Sequence, residues 1–178
     1  MNRINDFHAR LMKIISRREY LERADREYAS FSHTTKTILE SRSLFGQHIL
    51  GAVGELIRVP PKYTAAAEVA LGSSVSYIVT DTSCSAGDVI TWLKKNNLGR
   101  TTFYPLESMR PRGNDGNERK ACSEKGIHGI ASELFFCDEE YGSLIDSILG
   151  KTLIAENLDV ARTVSAKYNY RLRLVTLD

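Results

Sequence analysis

The sequence predicts an α/β (mixed α+β) fold of two pseudo-repeated β-α-β-α-β halves, preceded by one long coiled-coil helix. Three observations carry that expectation. The pattern of residues 51–72 returns in residues 129–150, offset by 78 positions without a gap. The first 42 residues hold neither Gly nor Pro and carry an apolar heptad. Beyond residue 45, β-prone runs alternate with stretches that have helix caps. Repetition at a fixed offset comes first, because it constrains the whole topology.

The heptad places Ile4, Phe7, Leu11, Ile14, Leu21 and Tyr28 at a and d positions, with Arg18 and Asp25 as polar a residues. So narrow a stripe is a coiled-coil seam rather than a core-facing helix. It fades after Tyr28, where Ser32 and Thr35 take the next a and d positions. Residues 3–40 are expected as one continuous helix within an arm segment, residues 1–44. A lone seam needs a partner helix, and this chain has no second heptad segment.

Phe45-Gly46 ends the arm, and the first half is expected over residues 45–110. Gly51, Glu55, Leu56, Tyr63, Leu71 and Gly72 align with Gly129, Glu133, Leu134, Tyr141, Leu149 and Gly150. Residues 56–59 read as a strand stopped by Pro60-Pro61, followed by a helix over 61–71 that Gly72 caps. Residues 75–80 read as a strand. Asp81, Thr82 or Ser83 caps a helix to about Asn96, ended by Asn97 and Gly99. Residues 101–104 form the next strand. Residues 111–126, rich in Gly, Asn and charge, read as a mobile connector. The second half, 127–178, repeats the order: a strand at 134–136, Asp138 capping a helix over 139–149, and Gly150 ending it. A strand at 152–155, a helix capped by Asn157 and a strand at 171–177 complete it. Both Gly72 and Gly150 are expected at positive φ, and the halves pack about a pseudo-twofold axis.

The 178 residues suffice for a sizeable core, and 42% hydrophobic with 26% charged is ordinary for a globular protein. No apolar run reaches the roughly 18–20 residues of a membrane span. Cys84, Cys122 and Cys137 form no C-x-x-C pair and read as reduced thiols. The net charge of +2 hides an asymmetry. Residues 94–125 hold eight basic and four acidic side chains, whereas residues 126–160 hold one and seven. Lys94, Lys95, Arg100, Arg110, Arg112, Arg119, Lys120 and Lys125 are the candidate phosphate-backbone contacts. A second patch is Arg162, Lys167, Arg171 and Arg173. Either set also reads simply as solvated surface.

Catalytic signals are lacking. Gly51-Ala52-Val53-Gly54 has no lysine or following hydroxyl to make it a phosphate loop. His8, His33, His48 and His128 show no metal-ligand spacing. Glu55 and Glu133 are equivalent carboxylates that invite a paired acid–base reading. No nucleophile set accompanies them, and a cap, a backbone hydrogen bond or an ion pair is the expected role. No catalytic, cofactor or metal residue is assigned.

The combination of arm and duplicated domain resembles the hinge of SMC (structural maintenance of chromosomes) proteins, bacterial chromosome-partition type. Gly51-Ala52-Val53-Gly54-Glu55-Leu56 is similar to the family's G-x-V-x-E-L opening. Asn97-Leu98-Gly99-Arg100-Thr101-Thr102-Phe103-Tyr104-Pro105-Leu106 is similar to its L-G-R-A-T-F-L-P-L strand. Gly129-Ile130-Ala131-Ser132-Glu133-Leu134 and Leu174-Val175-Thr176-Leu177-Asp178 match in the second half. The resemblance implies a hinge that dimerises two SMC chains, most simply as a homodimer, with weak sequence-independent contact to the DNA backbone. The alternative is a dimerisation module without DNA affinity. It also implies ATP-binding heads and kleisin-type subunits outside this chain, no cofactor within it, no membrane partner, and a cytoplasmic, nucleoid-associated location. In that family the last strand runs into a Gly-rich segment of the dimer interface. This chain stops at Asp178, before it, and is expected to be a fragment.

Overall fold

The computed structural model describes residues 31–111 and 116–178. The seam positions Ile4 to Tyr28, and Arg112, lie outside the described residues. In the first half, helix α1 (His33–Glu40) leads to strand β1 (Ile49–Ala52) and a one-turn helix α2 (Val53–Leu56). Helix α3 (Thr64–Leu71), strand β2 (Ile78–Thr80), helix α4 (Ser83–Asn96) and strand β3 (Phe103–Pro105) follow. The second half runs α5 (Asn117–Ala121), β4 (Ile127–Ile130), α6 (Ala131–Leu134), α7 (Gly142–Leu149), β5 (Thr152–Ala155), α8 (Leu158–Lys167) and β6 (Arg173–Thr176). Both three-stranded sheets have the same topology, the first pair of strands antiparallel and the second parallel.

The repeat is therefore structural, and its register shows where it slips. Gly51 pairs with Val79, and Gly129 with Ile154, each beside a break in register. Both glycines sit at large positive φ, 147° and 142°. That is a bulge only glycine adopts without strain. The first strands keep the offset of 78, but the second strands are 75 apart, because Ile78 and Leu153 occupy the same place. The three extra residues of the first half lie in the 3₁₀ turn Gly72–Ser76.

The halves meet through a reciprocal backbone bridge. The Arg58 N–H donates to the Phe136 carbonyl at 2.7 Å, and the Phe136 N–H to the Arg58 carbonyl at 2.9 Å. Arg58 and Phe136 are themselves one repeat apart, so this antiparallel bridge marks the pseudo-twofold axis. Around it lies a shared core of repeat-equivalent residues: Val53 and Ala131, Ile57 and Phe135, Tyr63 and Tyr141, Leu71 and Leu149. Where α3 carries Ala66 and Ala67, α7 carries Leu144 and Ile145. Small residues opposite large ones let the two helices approach.

Each sheet's other face has its own cover. Ile49, Ile78 and Val89 pack with Ile38 and Leu39 of α1. Ile130, Leu153 and Val164 pack with Ala121 of α5. Helix α1 is also fastened by hydroxyls: Thr34 donates to the Leu98 carbonyl at 3.0 Å and Thr35 to the Ser76 carbonyl at 2.7 Å.

Four expectations are corrected. Residues 3–40 are not one continuous helix, because Ser32 is extended (φ −62°, ψ 153°) and its side chain caps α1. Residues 56–59 and 134–136 are not strands. The chain has already turned into α2 and α6, leaving only the Arg58–Phe136 bridge, and the first strands lie upstream at the bulge glycines. Gly150 is not at positive φ but at −62°, because its N–H still donates to the Asp146 carbonyl and the chain enters β5 two residues later. Gly72, with the longer turn to make, is at 51°. Finally, the 111–126 connector contains helix α5, whose Ala121 is fully buried. The capped helices agree with expectation: Thr82 and Asn157 accept from the N–H groups of Ser85 and Val160.

Replacing Gly51 or Gly129 by Ala is expected to cost about 1–3 kcal/mol. Gly51→Ala carries an added penalty, since its Cβ would lie 2.9 Å from the Glu55 carboxylate. Thermal melts followed by circular dichroism measure this, at roughly 2–4 °C per kcal/mol for a chain of this size.

Candidate functional site

The equivalent carboxylates do unequal work. Glu55 accepts the Ala52 N–H at 2.8 Å, closing the turn between β1 and α2. Glu133 instead pairs with Arg119 at 2.7 Å, reaching to α5. Each is thus engaged structurally within its own half. The thiols of Cys122 and Cys137 are pushed up by burial, away from the reactive thiolate form. Among the described residues no cluster of His, Cys, Asp and Glu could hold a metal ion, and no helix is long and apolar enough to cross a membrane.

The eight candidate backbone contacts do not share one element. Lys94 and Lys95 close α4, where Asn97 makes a left-handed cap. Lys94 and Arg100 line an open groove of about 620 Å³ with Ile90, Asn97, Thr101 and Phe103. Arg110 folds back to donate to the carbonyls of Glu107 and Met109 at 2.8 and 2.9 Å. Arg119, Lys120 and Lys125 belong to the second half, on α5 and the turn before β4; Arg119 is held by Glu133, while Lys120 and Lys125 are exposed.

The second patch proves to be related to the first. Phe103 pairs with Ile78 and Leu174 with Leu153, so Phe103 and Leu174 are equivalent. Three residues before them stand Arg100 and Arg171, both exposed. Lys94 and Lys95 lie in the last turn of α4, as Lys167 does in that of α8. Each half therefore carries a basic corner where its long helix turns into its third strand. The alignment hid this because α4 has 14 residues and α8 only 10, one turn fewer. In the second corner Lys167 pairs with Glu124 at 2.6 Å, and Arg173 donates to the Ala70 carbonyl at 2.7 Å. Arg162 and Arg171 face solvent.

Two further features lie on the surface. Strands β3 and β6 are edges of their sheets, and an open edge is a template for pairing with another chain. Beside β6, a groove of about 280 Å³ runs between α3 and α8, lined by Ala65, Val69, Leu158 and Leu174. Val69 is 66% exposed and Leu158 52% exposed, an apolar rim uncovered in the single chain.

Sequence reasoning missed a polar knot where β2 enters α4. His48 Nδ1 lies 2.7 Å from Asp81 Oδ2, and the other Asp81 oxygen accepts the Thr82 N–H at 2.7 Å. Glu107 accepts the Ser83 N–H at 2.7 Å and donates its own N–H to the Asp81 carbonyl. The Ser85 hydroxyl, and then His48, hold the Asp81 carboxyl down at about 2. Ser83 likewise holds Glu107 below the usual carboxylate range.

The family described as SMC proteins Flexible Hinge Domain matches residues 46–165. The Chromosome partition protein Smc of Lactiplantibacillus plantarum is 38% identical over 164 residues, which is 92% of this chain and 14% of that protein. The protein of the same name from Bacillus subtilis is 37% identical over the same shares. The chain thus spans about 14% of the length of these relatives. Among solved structures, an asymmetric dimer of the Geobacillus stearothermophilus SMC hinge domain matches with a TM-score of 0.82 at 36% identity, covering 98% of this chain and 69% of that one. The Pyrococcus furiosus SMC hinge domain matches with a TM-score of 0.67 at 28% identity, over 86% and 77%.

The Asp81 carboxyl is expected to stay ionised down to about pH 2 in the folded chain. Because its folded value is depressed below 3.8, its stabilising effect is present above that value. It is lost as pH falls through about 2. A carboxyl-carbon NMR titration reads this directly, and Ser85→Ala should move the midpoint up toward the ordinary value.

Proposed function

Because the chain belongs to the SMC flexible hinge domain family, we propose that it joins two SMC chains of a chromosome-partition protein and touches nucleic-acid backbone weakly through its basic corners. The observation that carries the reading is its likeness, over 98% of its length, to a hinge crystallised as a dimer. The open β6 edge and the apolar rim of Val69 and Leu158 support it, since a stable interface needs about 1,000 Å² or more with an apolar centre. The simplest partner is a second copy of the same chain. ATP-driven work and any kleisin-type subunit belong, in this reading, to heads outside residues 1–178. The protein acts at the nucleoid in the cytoplasm.

The nucleic-acid arm rests on Lys94, Lys95 and Arg100 in one corner and Arg162 and Arg171 in the other. Phosphate contacts fix position without reading sequence. A second reading, dimerisation without nucleic-acid affinity, is favoured by the engagement of Arg110, Arg119, Lys167 and Arg173 with groups of this chain.

Sedimentation velocity tests the dimer, on this chain and on a chimera extended by the residues that follow the matched region in the Bacillus subtilis relative. A concentration-dependent dimer is expected, and Val69→Lys with Leu158→Lys should shift it to monomer without lowering the melting temperature. Monomers at every concentration in both proteins would sink the reading. Nucleic-acid contact is tested by fluorescence anisotropy at two salt concentrations. Three or four phosphate contacts give a log–log slope of roughly −2 to −4. Lys94→Glu with Lys95→Glu should weaken binding equally on unrelated sequences and leave self-association intact. Absence of binding at low salt leaves the pure dimerisation module.

A further inference from the structure

The duplication is broken at two places on the surface, and the two are complementary. The first is an aromatic side chain without cover. Phe136 is 61% exposed, although its backbone is fixed by both hydrogen bonds to Arg58. Its repeat equivalent is Arg58 itself, so only the second half presents a ring at this position. Asp138 beside the ring pairs with Arg58 at 3.1 Å, and their charges cancel. Glu139 and Glu140 follow, both exposed, and leave the flank of the ring negative.

The second is the groove of about 620 Å³ between α4 and β3. Ile90, Leu93 and Phe103 make its apolar lining, and Lys94 and Arg100 make it basic. In the second half Leu172 stands where Thr101 lines this groove, each two residues before the equivalent Phe103 and Leu174. Leu172 packs against its own core instead. Apolar lining with a cationic edge matches an apolar anchor that carries carboxylates. Phosphate contacts run to the cations alone and leave Ile90 and Phe103 unused. The charge asymmetry of the sequence, basic over residues 94–125 and acidic over 126–160, thus coincides with groove and ring.

We propose that Phe136 of one copy enters the α4–β3 groove of a second copy, with Glu139 and Glu140 facing Arg100 at its edge. Aromatic side chains seated in pockets are the usual anchors of protein contacts. A guanidinium adds geometric specificity by holding a carboxylate with two parallel hydrogen bonds. Ring and groove lie in different halves of each chain, so the contact is heterologous, joining successive copies unless the rotation between them closes. It uses neither the β6 edge nor the rim of Val69 and Leu158. It therefore adds to the dimer of the proposed function and links one dimer to the next. One ring and exposed ion pairs make a weak contact that salt screens.

Sedimentation velocity of the 178-residue chain, at rising concentration and low salt, tests this. Species larger than the dimer are expected, fading as salt is raised. Phe136→Ser should raise the concentration they need about tenfold. The dimer and the melting temperature should stay as in the parent, because the bridge to Arg58 is main-chain. Arg100→Glu should remove the larger species, and Arg100→Glu with Glu139→Arg and Glu140→Arg in one chain should restore them. A variant that had merely lost its fold would not be rescued by a second reversal. Absence of larger species in the parent, or their indifference to Phe136→Ser, overturns the proposal. Failure of the rescue does so too and leaves Arg100 to nucleic acid. Loss of the dimer itself in Phe136→Ser puts the ring in the dimer interface and also overturns it. Association that Phe136→Ser removes and Val69→Lys with Leu158→Lys leaves belongs to this contact. The reverse belongs to the dimer, so the two readings fail separately.

Discussion

The two hydrogen bonds between Arg58 and Phe136 are the constraint around which the remaining architecture is arranged. A three-stranded sheet whose inner face carries only short helices leaves apolar surface that a unit this small must bury against something else. Each half meets that need with the other's matching residues. Because the bridge joins equivalent positions, it fixes the twofold relation. The relation then brings Ala66 and Ala67 of one half together with Leu144 and Ile145 of the other. A slip of the bridge by one residue would reverse which side chains face the shared core. The pairing of small with large residues opposes such a slip.

Much of this was legible. The offset of 78, the caps at Thr82 and Asn157, and the strand 152–155 follow from patterns that local physics dictates. Strands β1 and β4 were not, because Gly51 and Gly129 look like breaks until the bulge they serve is seen. Helix α5 hid in a stretch whose Gly, Asn and charge suggest a loop. Its one deeply buried apolar residue, Ala121, gives no periodic signal. The basic residues were visible in the sequence, but their arrangement as two equivalent corners was not. That depends on a one-turn difference in helix length, which only strand register reveals.

Divergence between the halves is as informative as their likeness. Glu55 closes a backbone turn while Glu133 holds an arginine, so duplication preserved the carboxylates and reassigned their partners. The polar knot of His48, Asp81 and Glu107 has no counterpart of the same composition, yet its backbone does. The Asp81 N–H donates to the His48 carbonyl as the Glu156 N–H donates to that of Gly126. Main-chain pairing is the conserved skeleton, and side-chain chemistry is what each half has been free to change.

The two threonines of α1 carry a mechanical implication. Thr34 and Thr35, in the helix's first turn, donate to carbonyls from the segments that lead to β3 and β2. Tension applied at Ser32 therefore meets both tethers within the first turn of α1. The load passes to the mouth of the basic groove, where Gly99 lies against Thr34.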